Sequence, residues 1–115
     1  MGLQILTRKS GDLTILDLQG RVTIGSSNDE LSSTLRTLIG DGAKRILVNM
    51  DGLQQIDSSG ISTIVRSFVT LRREDGAVKL LRPKGHVYEV LEITRLIHMI
   101  PTFMDEQTAL DSFKN

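Results

Sequence analysis

The chain has 115 residues, of which 39% are hydrophobic and 24% are charged, as in one folded domain rather than a disordered segment. Fourteen basic and fourteen acidic residues cancel, and the chain has no Trp, one Tyr and three Phe. Net charge and aromatic content therefore argue against direct nucleic-acid binding. The absence of cysteine excludes disulfides, thiolate nucleophiles and metal sites built on sulfur.

The opening segment MGLQILTRKSGD meets charged residues too early to form a secretory signal. No stretch of the sequence approaches the ~20 apolar residues that a membrane-spanning helix needs. We therefore expect a single domain over residues 1–115, located in the cytoplasm and without a membrane span.

The first half of the chain alternates strand and helix patterns. Two strands are predicted around a turn at residues 10–12, and the second, residues 13–18, is nearly all apolar, as in a strand covered on both faces. Apolar residues at helical spacing over residues 31–39 predict an amphipathic helix, which Gly40 helps to end. The segment KRILVNM, residues 44–50, predicts a buried strand.

The second half continues the alternation. Residues 61–69 have the apolar spacing of a second amphipathic helix, and AVKLL, residues 77–81, predicts a short strand. A third helical stripe covers residues 85–94. HMIPTF, residues 98–103, predicts a short last strand, and residues 105–113 predict a helix that begins at an Asp.

The predicted order is β-β-α-β-α-β-α-β-α, with about five strands and about four helices. Alternating strands and helices build parallel strands joined by crossovers, so this is an α/β fold. The initial hairpin makes the first strand antiparallel to the second, and the sheet mixed. Helices that cover mainly one face of the sheet would leave the other face partly unprotected.

No catalytic or metal-binding constellation is present in the sequence. His86 and His98 are placed at a helix start and a strand start, without neighbours at metal-ligand spacing. The segment IGDGAK, residues 39–44, ends a helix and opens a strand, whereas a phosphate loop has the reverse order. The Gly-x-Ser-x-Gly pattern of a nucleophile elbow is also missing. We therefore predict a protein that is not an enzyme and that holds neither a cofactor nor a metal.

The segment Asp57-Ser58-Ser59-Gly60 joins a predicted strand to a predicted helix. Asp and Ser are preferred helix N-caps, because their side-chain oxygens accept hydrogen bonds from the N–H groups of the first turn. One cap is enough, but three candidates are present, so a serine used only for capping and a serine used functionally both remain open. Gly60, which lacks a side chain, would let a partner's backbone approach closely.

Three segments carry a resemblance to a known family, namely LDLQGRVTIGSS, KRILVNMDGLQQIDSSGIS and GAVKLLRPKGHVYEVLEITRL. Over essentially its whole length the chain resembles the anti-sigma-factor antagonists, which belong to the STAS domains. The resemblance implies that the first serine of the motif, Ser58, is phosphorylated by a partner kinase. It also implies partner contacts at Asp57, Ser58, Ser59, Gly60 and Thr23.

The same resemblance implies the partners of the chain. These are an anti-sigma factor that is also a serine kinase, and a serine phosphatase that resets the switch. The unmodified protein would bind the anti-sigma factor and free the sigma factor, while ATP and magnesium would belong to the kinase.

The chain departs from the family pattern in two places. Family members often have Gly-Glu-Leu-Asp after the second strand, whereas this chain has Gly-Arg-Val-Thr over residues 20–23, with Thr23 in place of the Asp. The motif commonly continues with a small aliphatic residue and Gly, whereas this chain has Ile61 and Ser62. We interpret Ser62 as a helix-surface residue, with a second modification target as the alternative.

Two other functions remain open. One is a STAS subunit of a phospholipid-transport ATPase or a stress-sensing assembly, in which Ser58 would be a contact. The other is a small-ligand or nucleotide-binding domain with weak hydrolase activity, against which the missing phosphate loop argues. We interpret Arg66, Arg72 and Arg73 as a solvated helix face, with a rim for an acidic partner as the alternative.

Overall fold

The computed structural model describes residues 2–114. Its elements in chain order are β1 (Leu3–Ser10), β2 (Leu13–Val22), α1 (Ser26–Gly40), β3 (Arg45–Ile56), α2 (Ser58–Arg73), β4 (Ala77–Leu81), α3 (Gly85–Ile93), α4 (Leu96–Met99), β5 (Thr102–Phe103) and α5 (Glu106–Ser112). The predicted order is confirmed, with the one-turn helix α4 as an addition. No helix in the described range is long and apolar enough to cross a membrane.

The five strands form one mixed sheet in the order β1-β2-β3-β4-β5. β1 pairs antiparallel with β2, as the hairpin predicted, and every other neighbouring pair is parallel. Each connection from β2 to β5 therefore advances by one strand in the same direction. Because crossovers between parallel strands share one hand, α1 to α4 are expected on the same face of the sheet.

The core residues agree with this arrangement. The larger core joins buried residues of β2, β3 and β4 to buried residues of α1 to α4, among them Leu31, Ile64, Leu91 and Leu96. On the opposite face a smaller cluster of strand residues packs against α5 through Ala109 and Phe113. Helix α5 covers that face only in part, since Leu6 on β1 is 53% exposed.

Strand β3 is longer than predicted, running to Ile56 instead of ending near residue 50. β4 pairs with β3 only as far as Asn49, whereas β2 continues along β3 to its end. The second half of β3 therefore has one strand neighbour, and Gln54 and Gln55 are exposed. Their polar character hid the strand in the sequence, because a strand with an open edge does not need a continuous apolar run.

The predicted last strand, residues 98–103, was wrong over its first four residues. His98 lies in the short helix α4, and β5 consists of Thr102 and Phe103 alone. Arg95 has a positive φ of 63°, which ends the run of α3 before α4 begins. Leu96 of α4 is buried in the core, and Ile100, which is extended and follows this helical turn, is fully buried, whereas Met99 between them is 42% exposed.

Gly76 offers a test of how tightly α2 and β4 are joined. A Cβ atom on Gly76 would lie 2.3 Å from the carbonyl oxygen of Lys44 and 3.2 Å from that of Leu71. Both carbonyls accept hydrogen bonds at this junction, from the N–H groups of Ala77 and Gly76. We expect Gly76→Ala to lower the free energy of unfolding by about 1–3 kcal/mol, as overpacking does. Urea denaturation measures this loss.

Gly40→Ala is the matched control. Gly40 is the last residue of α1, and a Cβ there would meet nothing within 4 Å. Because Ala has the higher helix propensity, this change should be neutral or stabilising by up to about 1 kcal/mol. Equal unfolding midpoints for the two variants would contradict the close approach at Gly76.

Candidate functional site

The Asp57-Ser58-Ser59-Gly60 segment forms the junction between β3 and α2. β3 ends at Ile56, Asp57 is the N-cap, and α2 begins at Ser58. The Asp57 Oδ1 atom accepts hydrogen bonds from the N–H groups of Ser59 (3.0 Å) and Gly60 (3.2 Å), and from the Ser59 hydroxyl. Of the three candidate caps, Asp57 therefore fills the role.

The second carboxylate oxygen of Asp57 binds a different part of the chain. Oδ2 accepts a hydrogen bond from the N–H of Ile24 at 2.8 Å, and the Asp57 N–H donates to the Val22 carbonyl at 3.0 Å. One side chain thus holds the loop after β2 against the start of α2. Thr23 lies in the same loop, where its N–H donates to the Ser27 hydroxyl at 2.9 Å.

The charge of Asp57 is well compensated. The Ser59 hydroxyl and the N–H groups of Ile24, Gly60 and Ser59 lower the pKa of Asp57, against the opposing effect of partial burial. Hydrogen bonds to a carboxylate favour its ionised form, so Asp57 stays an anion to a lower pH than an unpartnered Asp. The carboxylate is therefore a fixed acceptor at neutral pH.

The two serines of the motif have different environments. Ser59 is partly buried, and its hydroxyl donates to Asp57. Ser58 is exposed at the first position of α2, and within residues 2–114 no hydrogen bond involves its hydroxyl. Ser58 is thus the serine whose hydroxyl is available to another molecule without breaking a contact of the fold.

Gly60 has an internal packing role instead of the open surface expected from the sequence. It is buried, and a Cβ atom would lie 2.7 Å from the side chains of both Ile56 and Val22. The missing side chain lets the first turn of α2 pack on the ends of β2 and β3. A partner contact at Gly60 stays a prediction, and the same holds for Asp57, Ser58, Ser59 and Thr23.

Ile24 is a candidate that sequence reasoning missed. Its side chain is 83% exposed, while its N–H is bonded to the cap carboxylate of the motif. A large exposed apolar side chain on a loop that is tied to the motif through Asp57 is a suitable contact for a protein partner. The signal in the sequence was a single apolar residue between Thr23 and Gly25, in the short loop that joins a strand to a helix.

The fold and the junction define a small domain that displays a serine at a strand-to-helix turn. The family model of the STAS domain matches residues 4–109, and the chain belongs to this family. It is 26% identical over 112 residues to BtrV of Bordetella bronchiseptica, a candidate anti-sigma factor antagonist. That match covers 97% of this chain and 96% of BtrV.

Solved structures share the fold at low sequence identity. An anti-sigma factor antagonist from Mycobacterium paratuberculosis matches with a TM-score of 0.89 at 11% identity, over 99% of this chain and 96% of that one. SpoIIAA in its unphosphorylated form matches with a TM-score of 0.73 at 22% identity, over 96% of each chain. The phosphorylated form of SpoIIAA, from Bacillus, matches with a TM-score of 0.74 at 21% identity, over 95% of this chain and 98% of that one.

Replacing Asp57 should destabilise the fold in a pH-dependent way. Asp57→Ala removes the cap and the link to Ile24, and a lost cap alone costs about 1 kcal/mol. Because the pKa of Asp57 is lowered on folding, its ionic contribution is complete above the unfolded value of ~3.9. That contribution is lost as the pH falls through the lower folded value. Urea denaturation at several pH values should show the gap between wild type and Asp57→Ala narrowing below about pH 4.

Asp57→Asn is the matched control for charge. Asn caps helices about as well as Asp, so this variant should keep the cap that Asp57→Ala loses. Its amide has only one acceptor oxygen and cannot also accept from the Ile24 N–H, so its stability should lie between those of Asp57→Ala and the wild type. Without an ionisable group at position 57, its stability relative to Asp57→Ala should not vary with pH. A pH-independent gap between wild type and Asp57→Ala would contradict the ionised cap.

Proposed function

We propose that this STAS domain is an anti-sigma factor antagonist whose affinity for its partner is controlled by phosphorylation of Ser58. The unmodified protein binds an anti-sigma factor that is also a serine kinase, and the phosphorylated protein is released. The observation that carries the proposal is the exposed hydroxyl of Ser58, which has no hydrogen-bond partner among the described residues. The fold does not need this hydroxyl as a helix cap, because Asp57 already fills that role. A kinase can modify this hydroxyl at no cost to the internal contacts.

The position of Ser58 lets the fold tolerate a phosphate. The N-terminal end of a helix favours an anion by about 0.3–1 kcal/mol. The neighbouring Asp57 carboxylate is bonded to the N–H groups of Ile24, Ser59 and Gly60, which reduces its repulsion of a second anion. The fold of this chain is shared by solved structures of both the unphosphorylated and the phosphorylated form of SpoIIAA, which supports a switch that leaves the fold unchanged.

A phosphate on Ser58 would act on the partner instead. It adds a charge of about −1.5 to −2 next to the Asp57 carboxylate, which also holds the loop that carries the exposed Ile24. Burying that charge against a partner costs several kcal/mol, and a loss of about 3 kcal/mol weakens binding by roughly 150-fold. Phosphorylation at this position is therefore sufficient to release the partner.

The remaining parts of the proposal follow from this role. The chain is a binding module and not an enzyme, and ATP and magnesium are bound by the kinase. A serine phosphatase regenerates the unmodified form. Sigma factors act in the cytoplasm, so the protein functions there. Thr23, Asp57, Ser59 and Gly60 shape the surface around Ser58, with Thr23 and Asp57 fixing the loop that carries Ile24.

The phosphorylation step is tested with serine kinases encoded near the gene for this protein. The wild type, Ser58→Ala and Ser59→Ala are incubated with each kinase, ATP and magnesium, and analysed by intact mass and peptide mapping. We expect one phosphate on the wild type and on Ser59→Ala, and none on Ser58→Ala. Phosphorylated wild-type protein should then bind the anti-sigma factor about 100-fold more weakly, measured by isothermal titration calorimetry.

Two outcomes would contradict this part of the proposal. A phosphate that persists in Ser58→Ala would move the modified residue to Ser59 or Ser62. No phosphate with any kinase, together with tight partner binding, would indicate a constitutive STAS subunit of a phospholipid-transport ATPase or a stress-sensing assembly.

The partner surface is tested by changing Ile24. We expect Ile24→Ser to weaken binding of the unmodified protein to the anti-sigma factor by roughly 10- to 100-fold, as at an apolar hot spot. Its stability should stay close to that of the wild type, because the side chain is exposed. Calorimetry and urea denaturation measure the two quantities.

Leu6→Ser is the control for this experiment. Leu6 is also an exposed apolar residue, 53% accessible, but it lies on β1 opposite Asp17, far along the sheet from the junction. Its replacement should leave partner binding unchanged. Equal losses of affinity for the two variants would place the partner elsewhere or show a non-specific effect.

A further inference from the structure

A cleft of about 520 Å³ lies between helices α1 and α2, on the face of the helices turned away from the sheet. Small side chains on the facing sides of the two helices leave this space open. They include Ser32 and Gly40 on α1 and Ser67 and Thr70 on α2. Small-molecule sites in proteins have volumes of about 300–1,000 Å³. The cleft is therefore large enough for a compact ligand, and it does not include the Ser58 motif.

The cleft has an arginine on each wall. Arg36 of α1 and Arg66 of α2 both line it, and both are exposed. Within residues 2–114 no acidic side chain lines the cleft, and neither arginine takes part in an ion pair. Residues 58–73, the whole of α2, contain no Asp or Glu. The positive charge in the cleft is thus not compensated by the protein.

The hydroxyl groups of the cleft add further donors. Thr63 donates its hydroxyl proton to Asn28 (2.8 Å), and Ser67 donates to the Thr63 carbonyl (3.1 Å), so these two protons are used internally. Ser32 and Thr70 line the same cleft and make no such side-chain bond in the described chain. A ligand would meet two guanidinium groups and two available hydroxyls, and no carboxylate from the described residues.

We propose that the cleft between α1 and α2 binds a small phosphorylated compound. Guanidinium groups present paired N–H donors that match two oxygens of one phosphate, and hydroxyls complete the coordination of the remaining oxygens. The partly buried Ile39 on the wall offers apolar surface to the organic part of such a ligand. The concave shape of this cleft suits a compact anion better than it suits the flat surface of a membrane.

The test is a titration of the full-length, isotope-labelled protein with inorganic pyrophosphate, followed by 1H–15N NMR at constant ionic strength. We expect saturable shifts of the amides in the second half of α1 and in the middle of α2. Arg36→Gln and Arg66→Gln should each weaken the binding at least about ten-fold, because each removes charge-assisted hydrogen bonds. Arg73→Gln is the matched control, since Arg73 is an exposed arginine at the end of the same helix and does not line the cleft.

Several results would overturn the proposal. Shifts that rise linearly without saturation, or that are equal for all three variants, would show only non-specific screening of surface arginines. Shifts confined to the amides of Ser58, Ser59 and Gly60 would place the anion at the start of α2. Binding to phosphatidylglycerol vesicles with no response to pyrophosphate would assign the arginines to a lipid surface. The Ser58 proposal is unaffected by these outcomes, because its readout is phosphorylation and partner affinity.

Discussion

The arrangement of the functional surface depends on the hydrogen bonds of one carboxylate. Asp57 accepts from the first turn of α2 with one oxygen and from Ile24 with the other, so a single side chain caps a helix and fixes the neighbouring loop. Asp57 supplies the cap and Ser59 is bonded to it, and no contact among residues 2–114 uses the Ser58 hydroxyl. A change at Ser58 therefore need not disturb the cap, and under the proposed function the structural and regulatory roles fall on adjacent residues.

The sheet determines where this junction is displayed. β2 and β3 stay paired as far as Val22 and Ile56, beyond the point at which β4 ends its pairing with β3 at Asn49. Gly60 then packs directly on the ends of these two strands, which brings the first turn of α2 close to the loop after β2. The projecting pair of strands therefore acts as a hydrogen-bonded support for the serine, beyond the end of the pairing between β3 and β4.

The sequence predicted the features that depend on local patterns. The hairpin, the alternation of strands and helices, and the helix that begins at Asp105 followed from turn residues, apolar spacing and capping chemistry. Features that depend on distant residues were not predictable. The choice of Asp57 as cap involves Ile24, 33 positions earlier, and the burial of Gly60 depends on Val22. The polar second half of β3 and the helical turn at His98 were also misjudged, because a short segment does not reveal which neighbours it will have.

The zero net charge of the chain illustrates the same limit at the level of the surface. The carboxylates that form ion pairs contact basic residues at the sheet and at the turns between elements, as in the pairs Arg8–Asp17 and Lys44–Glu74. Exposed pairs of this kind contribute little to stability, about 0–1 kcal/mol each. Within the described residues none of these carboxylates lines the cleft that Arg36 and Arg66 share. Composition excludes long-range attraction of anions by net charge, but it cannot exclude a local anion site. Such a site depends on which charges lack a neighbour of opposite sign, and that is decided by the fold.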